Sequence, residues 1–212
     1  MEISYQEMTK VLPECELGEA KITHVTVDRD ASAMTAIRAI RDPGSYVAEG
    51  TYCQLHVGRS LMMSDTRMEK RSNLGVLMNA RGSVLIAGLG IGLILLPLLK
   101  DPQVEKITVI EKSADVIKLV EPYLRKAAGE NASKLTVICA DIFVWEPPKG
   151  QKWDTIYFDI WADICEDNLK EMAKLHQKFA RRKTPGAWMD SWQKPLLQAQ
   201  KRREARQSSG WY

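Results

Sequence analysis

Apolar and polar positions follow no period over the first 18 residues, which read as a loose arm. Order begins at AKITHVTVD, residues 20–28, where β-branched residues alternate with polar ones as on a half-buried strand. ASAMTAIRAI then spaces Met34, Ile37 and Ile40 at helical intervals, and Asp42-Pro43-Gly44 stops it. TYCQLHV and SLMMS are short strands joined by Gly58-Arg59, a two-residue loop with glycine first, as a type II′ hairpin needs. The stretch DTRMEKRSNLGVLMNA, residues 65–80, opens on an aspartate suited to cap a helix and carries Met68, Leu74, Leu77 and Met78; Gly75 weakens it.

At residue 84 the rhythm changes. VLIA is a short buried strand, IGLILLPLLK an apolar helix crossed by Pro97, KITVI a strand and SADVIKLVEPYLRKAAG a helix. KLTVICA and WDTIYFD are strands, DNLKEMAKLHQKFARR is a helix, and AWMDSW is a last strand. Strands alternating with helices require right-handed crossovers and a parallel sheet covered on both faces. The pattern therefore predicts an α/β, Rossmann-like domain over residues 65–192. A small strand, helix and hairpin lobe precedes it over 1–64, and a basic tail follows over 193–212.

Composition changes this picture little. A chain of 212 residues with 45% hydrophobic and 27% charged residues is ordinary for a globular protein, and a net charge of +3 gives no global case for nucleic acid. The local basic runs KLHQKFARRK and KRREAR make nucleic acid a disfavoured second partner rather than the first. Cys15, Cys53, Cys139 and Cys165 are scattered without a metal-ligand cadence and read as reduced thiols, so no metal is expected. The polar N-terminus is unlike a signal peptide, and no stretch reaches the ~20 apolar residues that span a bilayer. A cytoplasmic protein without membrane contact is expected. His24, His56 and His176 have no metal-like or triad-like neighbours in sequence and are read as structural or exposed.

The chemistry concentrates at strand ends. VLIAGLGIGL places Gly88, Gly90 and Gly92 directly after the first parallel strand, so the backbone there approaches another strand, a phosphate or a ligand without phosphates. Leu93 stands where a dinucleotide fingerprint needs its third glycine, and no Lys-Ser/Thr follows as in a phosphate loop. The next strands end in Glu111, in Asp141 followed by Ile142 and Phe143, and in Asp159 followed by Ile160 and Trp161. A carboxylate at Glu111 suits two ribose hydroxyls, and one at Asp141 beside an apolar pair suits an adenine amino group and ring. Ligands of open α/β sheets bind at these carboxyl ends. A nucleoside without phosphates is the reading favoured.

This ordered series resembles the class I S-adenosylmethionine-dependent methyltransferases, and within them the spermidine-synthase-like branch. VLIAGLGIG resembles the first motif, VIEKSADVIKLVEPYL the run around the ribose acid, CADIF the adenine motif and IYFDIWADI the fourth motif. GTYCQLHVGRSLMMSDTRMEKRSN is similar to the hairpin segment that precedes the nucleoside fold in polyamine synthases. The resemblance implies S-adenosyl-L-methionine as cofactor, with S-adenosylhomocysteine as product. It implies cofactor contacts at Gly88, Gly90, Gly92, Glu111, Lys112, Asp141, Ile142 and Asp159, with Asp159 facing the reacting centre. Asp65 and Glu69, four apart on the predicted helix, are expected to close the site from the other side. Three departures stand out. Ile91 replaces the aspartate that polyamine synthases carry within the glycine run. Asp159 and Asp163 have three residues between them where that family's two aspartates have two. Only twenty residues follow Trp192, too few and too charged for the last strands of a seven-stranded sheet.

A sulfonium is an activated electrophile, so transfer mainly needs a nucleophile held in line, and a base only where the acceptor must lose a proton. Asp159 is the candidate base and Asp163 a second acid for an amine; Trp161 is a candidate wall of the acceptor pocket. The expected function is methyl transfer to a small-molecule acceptor. Alternatives are aminopropyl transfer from decarboxylated S-adenosylmethionine and a non-catalytic nucleoside-binding scaffold. The sheet edge at AWMDSW invites pairing, and a homodimer is included among the expectations.

Overall fold

The computed structural model describes residues 5–40 and 45–209. The chain first builds a four-stranded antiparallel sheet from β1 (Cys15–Leu17), β2 (Ala20–Val27), β3 (Gly50–Val57) and β4 (Ser60–Ser64), in that spatial order. At the β3–β4 turn Gly58 takes φ +58°, as the first central residue of a type II′ turn does. β1 and the one-turn helix α1 (Met8–Val11) occupy the stretch read as a loose arm. Neither is long enough to show a period. Tertiary contact makes them, for Met8 and Leu12 are fully buried.

The helix α2 (Arg29–Ala39) starts on Asp28, whose carboxylate accepts from the Ala31 N–H at 2.8 Å. Its apolar stripe has the expected spacing, but Met34, Ile37 and Ile40 all face solvent. The predicted stop at Asp42-Pro43-Gly44 lies outside the described residues. Over 65–80 one helix was expected; two short ones form instead, α3 (Arg67–Ser72) and α4 (Leu74–Asn79). The break falls at Asn73, not at Gly75. Asn73 is fully buried, donates from Nδ2 to the Glu69 carbonyl at 3.1 Å and accepts the Tyr157 hydroxyl at 2.9 Å.

From Gly82 the α/β unit follows: β5 (Gly82–Ala87), α5 (Leu95–Lys100), β6 (Val104–Glu111), α6 (Ala114–Ala128), β7 (Leu135–Cys139), β8 (Trp153–Phe158), α7 (Asn168–Phe179), β9 (Lys183–Ser191) and α8 (Lys194–Ser209). The five strands pair in parallel in the order β7-β6-β5-β8-β9. β5 sits at the centre and Val84 to Ala87 are wholly buried, which explains their unbroken apolar run. Pro97 is tolerated because it falls in the first turn of α5, where its missing N–H has no helical partner in any case. Among the described residues no strand follows β9, as expected.

Progression from β5 to β6 to β7 runs one way, and β8 and β9 lie on the other side of β5. The order therefore reverses between β5 and β8, which opens a crevice at the carboxyl ends of the strands. No helix among the described residues is long and apolar enough to cross a membrane, and no three His, Cys, Asp or Glu residues there converge on a metal site.

Candidate functional site

The crevice has a volume of about 500 Å³, within the usual range for a small-molecule site. Its floor is the glycine turn after β5, and Leu55, Val57, Met62 and Met63 of the β3–β4 hairpin roof it. Gly88 and Gly90 adopt φ +97° and +51°, a region L side chains rarely enter. A Cβ at Gly88 would strike the Asp159 carbonyl, and one at Gly90 the Met63 sulfur. The close approach written into VLIAGLGIGL is thus first an approach of protein to protein: the glycines seat the end of β8 and the hairpin roof. Gly88 and Gly90 also line the crevice. Gly92 does not; it packs against Leu124 of α6, so its expected cofactor contact is replaced by helix packing.

Glu111 lines the crevice at the end of β6. Its two carboxylate oxygens accept from the Leu89 and Ser113 N–H groups, each at 2.8 Å. Those bonds fix the acid between the glycine turn and the start of α6, and each oxygen keeps a lone pair for a further donor. Asp141 accepts from the Phe143 N–H at 2.9 Å and pairs with the Lys112 ammonium at 3.0 Å. The Phe143 N–H first, and Lys112 second, hold its carboxyl below the usual carboxylate range. Lys112 and Asp141 both line the crevice, beside the buried Ile142 and the Phe143 ring. Two acids at neighbouring strand ends, with an apolar slot after the second, fit the hydroxyls, amino group and ring face of an adenosyl group. Bound there, such a group would supply an alkyl carbon activated by a sulfonium.

Asp159, Ile160 and Trp161 line the far side, after β8. Trp161 is buried and its indole N–H donates to Glu171 of α7 at 2.7 Å, so both the expected wall and an unexpected acid meet there. The Asp159 carboxylate has no hydrogen-bond or ion-pair partner among the described residues, and burial pushes it up to about 7. Two expected acids are elsewhere. Asp163 is exposed on the loop before α7, where its carbonyl accepts from Asn168, and does not line the crevice. Asp65 neither caps α3 nor reaches the crevice: its carboxylate accepts from the Cys53 N–H at 2.8 Å and the Met8 N–H at 3.3 Å, which ties α1 to the hairpin. His176 lies outside the crevice, held neutral by burial and by Lys194, which donates to its Nδ1 at 3.2 Å.

Sequence reading missed Lys178. From α7 its ammonium donates to the carbonyls of Ile142, Phe143 and Trp145 at 3.3, 2.9 and 2.6 Å, and so clamps the loop that carries the adenine slot. Nothing in a charged helix face marks one lysine as inward. Methionine at Lys178 removes a charged donor from three carbonyls. Hydrogen exchange over residues 141–146 should then be accelerated. Unchanged exchange there would separate Lys178 from the loop.

Residues 71–182, more than half of the chain, match the family model described as "Spermine/spermidine synthase domain". The chain belongs to that family. Its solved-structure neighbours include the methyltransferase domain of bacterial CtHen1-CN, at 21% identity over 50% of this chain and 58% of that one, TM-score 0.39. The glycopeptide N-methyltransferase MtfA with S-adenosyl-L-methionine is 17% identical over 56% and 52%, TM-score 0.42. The CcbJ methyltransferase from Streptomyces caelestis is 17% identical over 56% and 46%, TM-score 0.42. The chain thus spans about half the length of these structures. No curated protein sequence matches it.

Proposed function

We propose that this spermine/spermidine synthase-domain protein binds S-adenosylmethionine and transfers its methyl group to an amine of a small molecule. The observation that carries the reading is an unpartnered Asp159 carboxylate in the same crevice as the doubly anchored Glu111. An ammonium acceptor must lose a proton before it can attack. Asp159, raised to about 7, is suited to take that proton at neutral pH. The freed lone pair forms the new N–C bond while the S–C pair returns to sulfur, which leaves S-adenosylhomocysteine and an alkylated ammonium.

Methyl rather than aminopropyl transfer is favoured by the glycine turn. Gly90 lines the crevice, and neither its N–H nor that of Ile91 has an acceptor among the described residues. Ile91 is fully buried and brings no acid to the turn. Free N–H groups suit the carboxylate of the methionine tail; the decarboxylated sulfonium offers only a cation there. Calorimetry should show S-adenosylmethionine binding at least about tenfold tighter than its decarboxylated form. The reverse order would assign the protein to aminopropyl transfer. Binding of neither, nor of S-adenosylhomocysteine, would leave a scaffold.

A further inference from the structure

Five charged side chains line the crevice among the described residues, and they are unevenly placed. Glu111, Lys112 and Asp141 stand at the ends of β6 and β7, on the adenosyl side. Only Asp159 and Glu171 remain for the β8 side, from which an acceptor would approach the sulfonium carbon. Glu171 is exposed on α7, and one of its oxygens already accepts the Trp161 indole N–H at 2.7 Å. The acceptor side therefore offers one lining carboxylate, Asp159, without a partner among the described residues.

The other acids that a chain of several ammonium groups could use do not reach this space. Asp65 accepts from the Cys53 and Met8 N–H groups, Asp163 faces solvent, and Glu69, 9% exposed on α3, does not line the crevice. What surrounds Asp159 instead is apolar. Ile160 and the buried Trp161 follow it in the chain, and Leu55, Val57, Met62 and Met63 of the hairpin close over the same crevice. None of these side chains carries a charge, and their one strong donor, the indole N–H, is committed to Glu171.

Solvation then discriminates between acceptors. A second ammonium along the acceptor chain would leave water for a wall with no carboxylate to meet it, and is destabilised there. Were it to reach Glu171, it would meet an exposed acid, and exposed ion pairs contribute little. A methylene in the same place leaves water at a gain of about fourfold in affinity.

We infer that the acceptor is a monoamine with an apolar body, and that the β8 side of the crevice discriminates against di- and polyamines. This rests on the amine-acceptor reading above and names its substrate class. Asp159 meets the single ammonium, while Ile160, Trp161 and the hairpin roof cover the hydrocarbon.

The test is calorimetry on the full chain saturated with S-adenosylhomocysteine, with the series n-propylamine to n-hexylamine as probes. Affinity should rise about three- to fourfold per methylene. 1,4-Diaminobutane has the length of n-pentylamine with an ammonium in place of the terminal methyl, and should bind at least about tenfold weaker. Ile160→Asp, which sets a second carboxylate on the wall, should narrow that gap at least about tenfold. A flat alkyl series, or a diamine that binds the parent more tightly than n-pentylamine, overturns the inference and leaves the amine acceptor standing; neither measurement depends on the variant. A folded Ile160→Asp protein with the parent's preference overturns it as well. The matching alcohols, 1-propanol to 1-hexanol, separate the inference from the reading beneath it. Alcohols that bind as tightly as the amines, with the same gain per methylene, keep the apolar acceptor chamber and remove the amine-acceptor reading.

Discussion

Asparagine at Asp159 is expected to cut methyl transfer by ~10²–10⁴-fold, measured as S-adenosylhomocysteine release, while affinity for that product stays within about threefold. The side chain keeps its size and loses only its capacity to take a proton. Glu111, Asp141 and the Ile142 slot are untouched. The same substitution should stabilise the ligand-free protein at alkaline pH. Burial raises Asp159 from 3.8 to about 7 and Glu69 from 4.5 to about 8, so the folded state holds protons that the unfolded chain has already released. Their contribution to stability is complete below about pH 4 and is lost as pH rises through 7 and 8. Asp159→Asn, which cannot ionise, escapes that loss. Its melting temperature should exceed the parent's at pH 9 and match it near pH 4. A variant that is both inactive and less stable at pH 9 would mark Asp159 as a structural residue rather than a base.

The fold was legible where buried strands and long helices leave a period. VLIA, KITVI and WDTIYF read as parallel strands because both their faces are covered, and their spacing by helices fixed the α/β class. Short elements left no such trace. Met8–Val11 and Cys15–Leu17 exist through contact with distant residues, and the break at Asn73 follows from a hydrogen bond to Tyr157, 84 residues away. α2 had the spacing of a buried helix, yet its stripe is exposed; a period states that one face is apolar, not that anything covers it.

The site divides the same way. Strand-end acids are visible in sequence because topology alone carries Gly88, Glu111, Asp141 and Asp159 to one edge. What each does with its oxygens is not visible. Asp65 and Asp163 were candidates ranked behind Asp159, and only backbone geometry sent one to the Cys53 N–H and the other to solvent. Lys178, Glu171 and Met63 reach the site from elements whose facing depends on packing, so no local pattern announces them.

Alanine at Glu111 carries the second large effect, and it falls on affinity. An adenosyl ribose would give the carboxylate two hydroxyl hydrogen bonds, and bonds to a charged acceptor contribute about 1.5–3 kcal/mol each. Alanine also strands the Leu89 and Ser113 N–H groups that the acid now satisfies, which loosens the glycine turn beneath the ligand. The dissociation constant of S-adenosylhomocysteine should therefore rise at least about a hundredfold by calorimetry. Turnover at saturating S-adenosylmethionine should recover to within about tenfold of the parent, because Asp159 and the β8 end keep their own support through the Asp159 N–H bond to the Ala87 carbonyl at 2.8 Å. The contrast between the two variants carries the division of roles. If Glu111→Ala bound the product normally and lost turnover, the acid at the end of β6 would act on the reacting group instead of the sugar. The adenosyl group would then have to lie in the opposite direction along the strand ends.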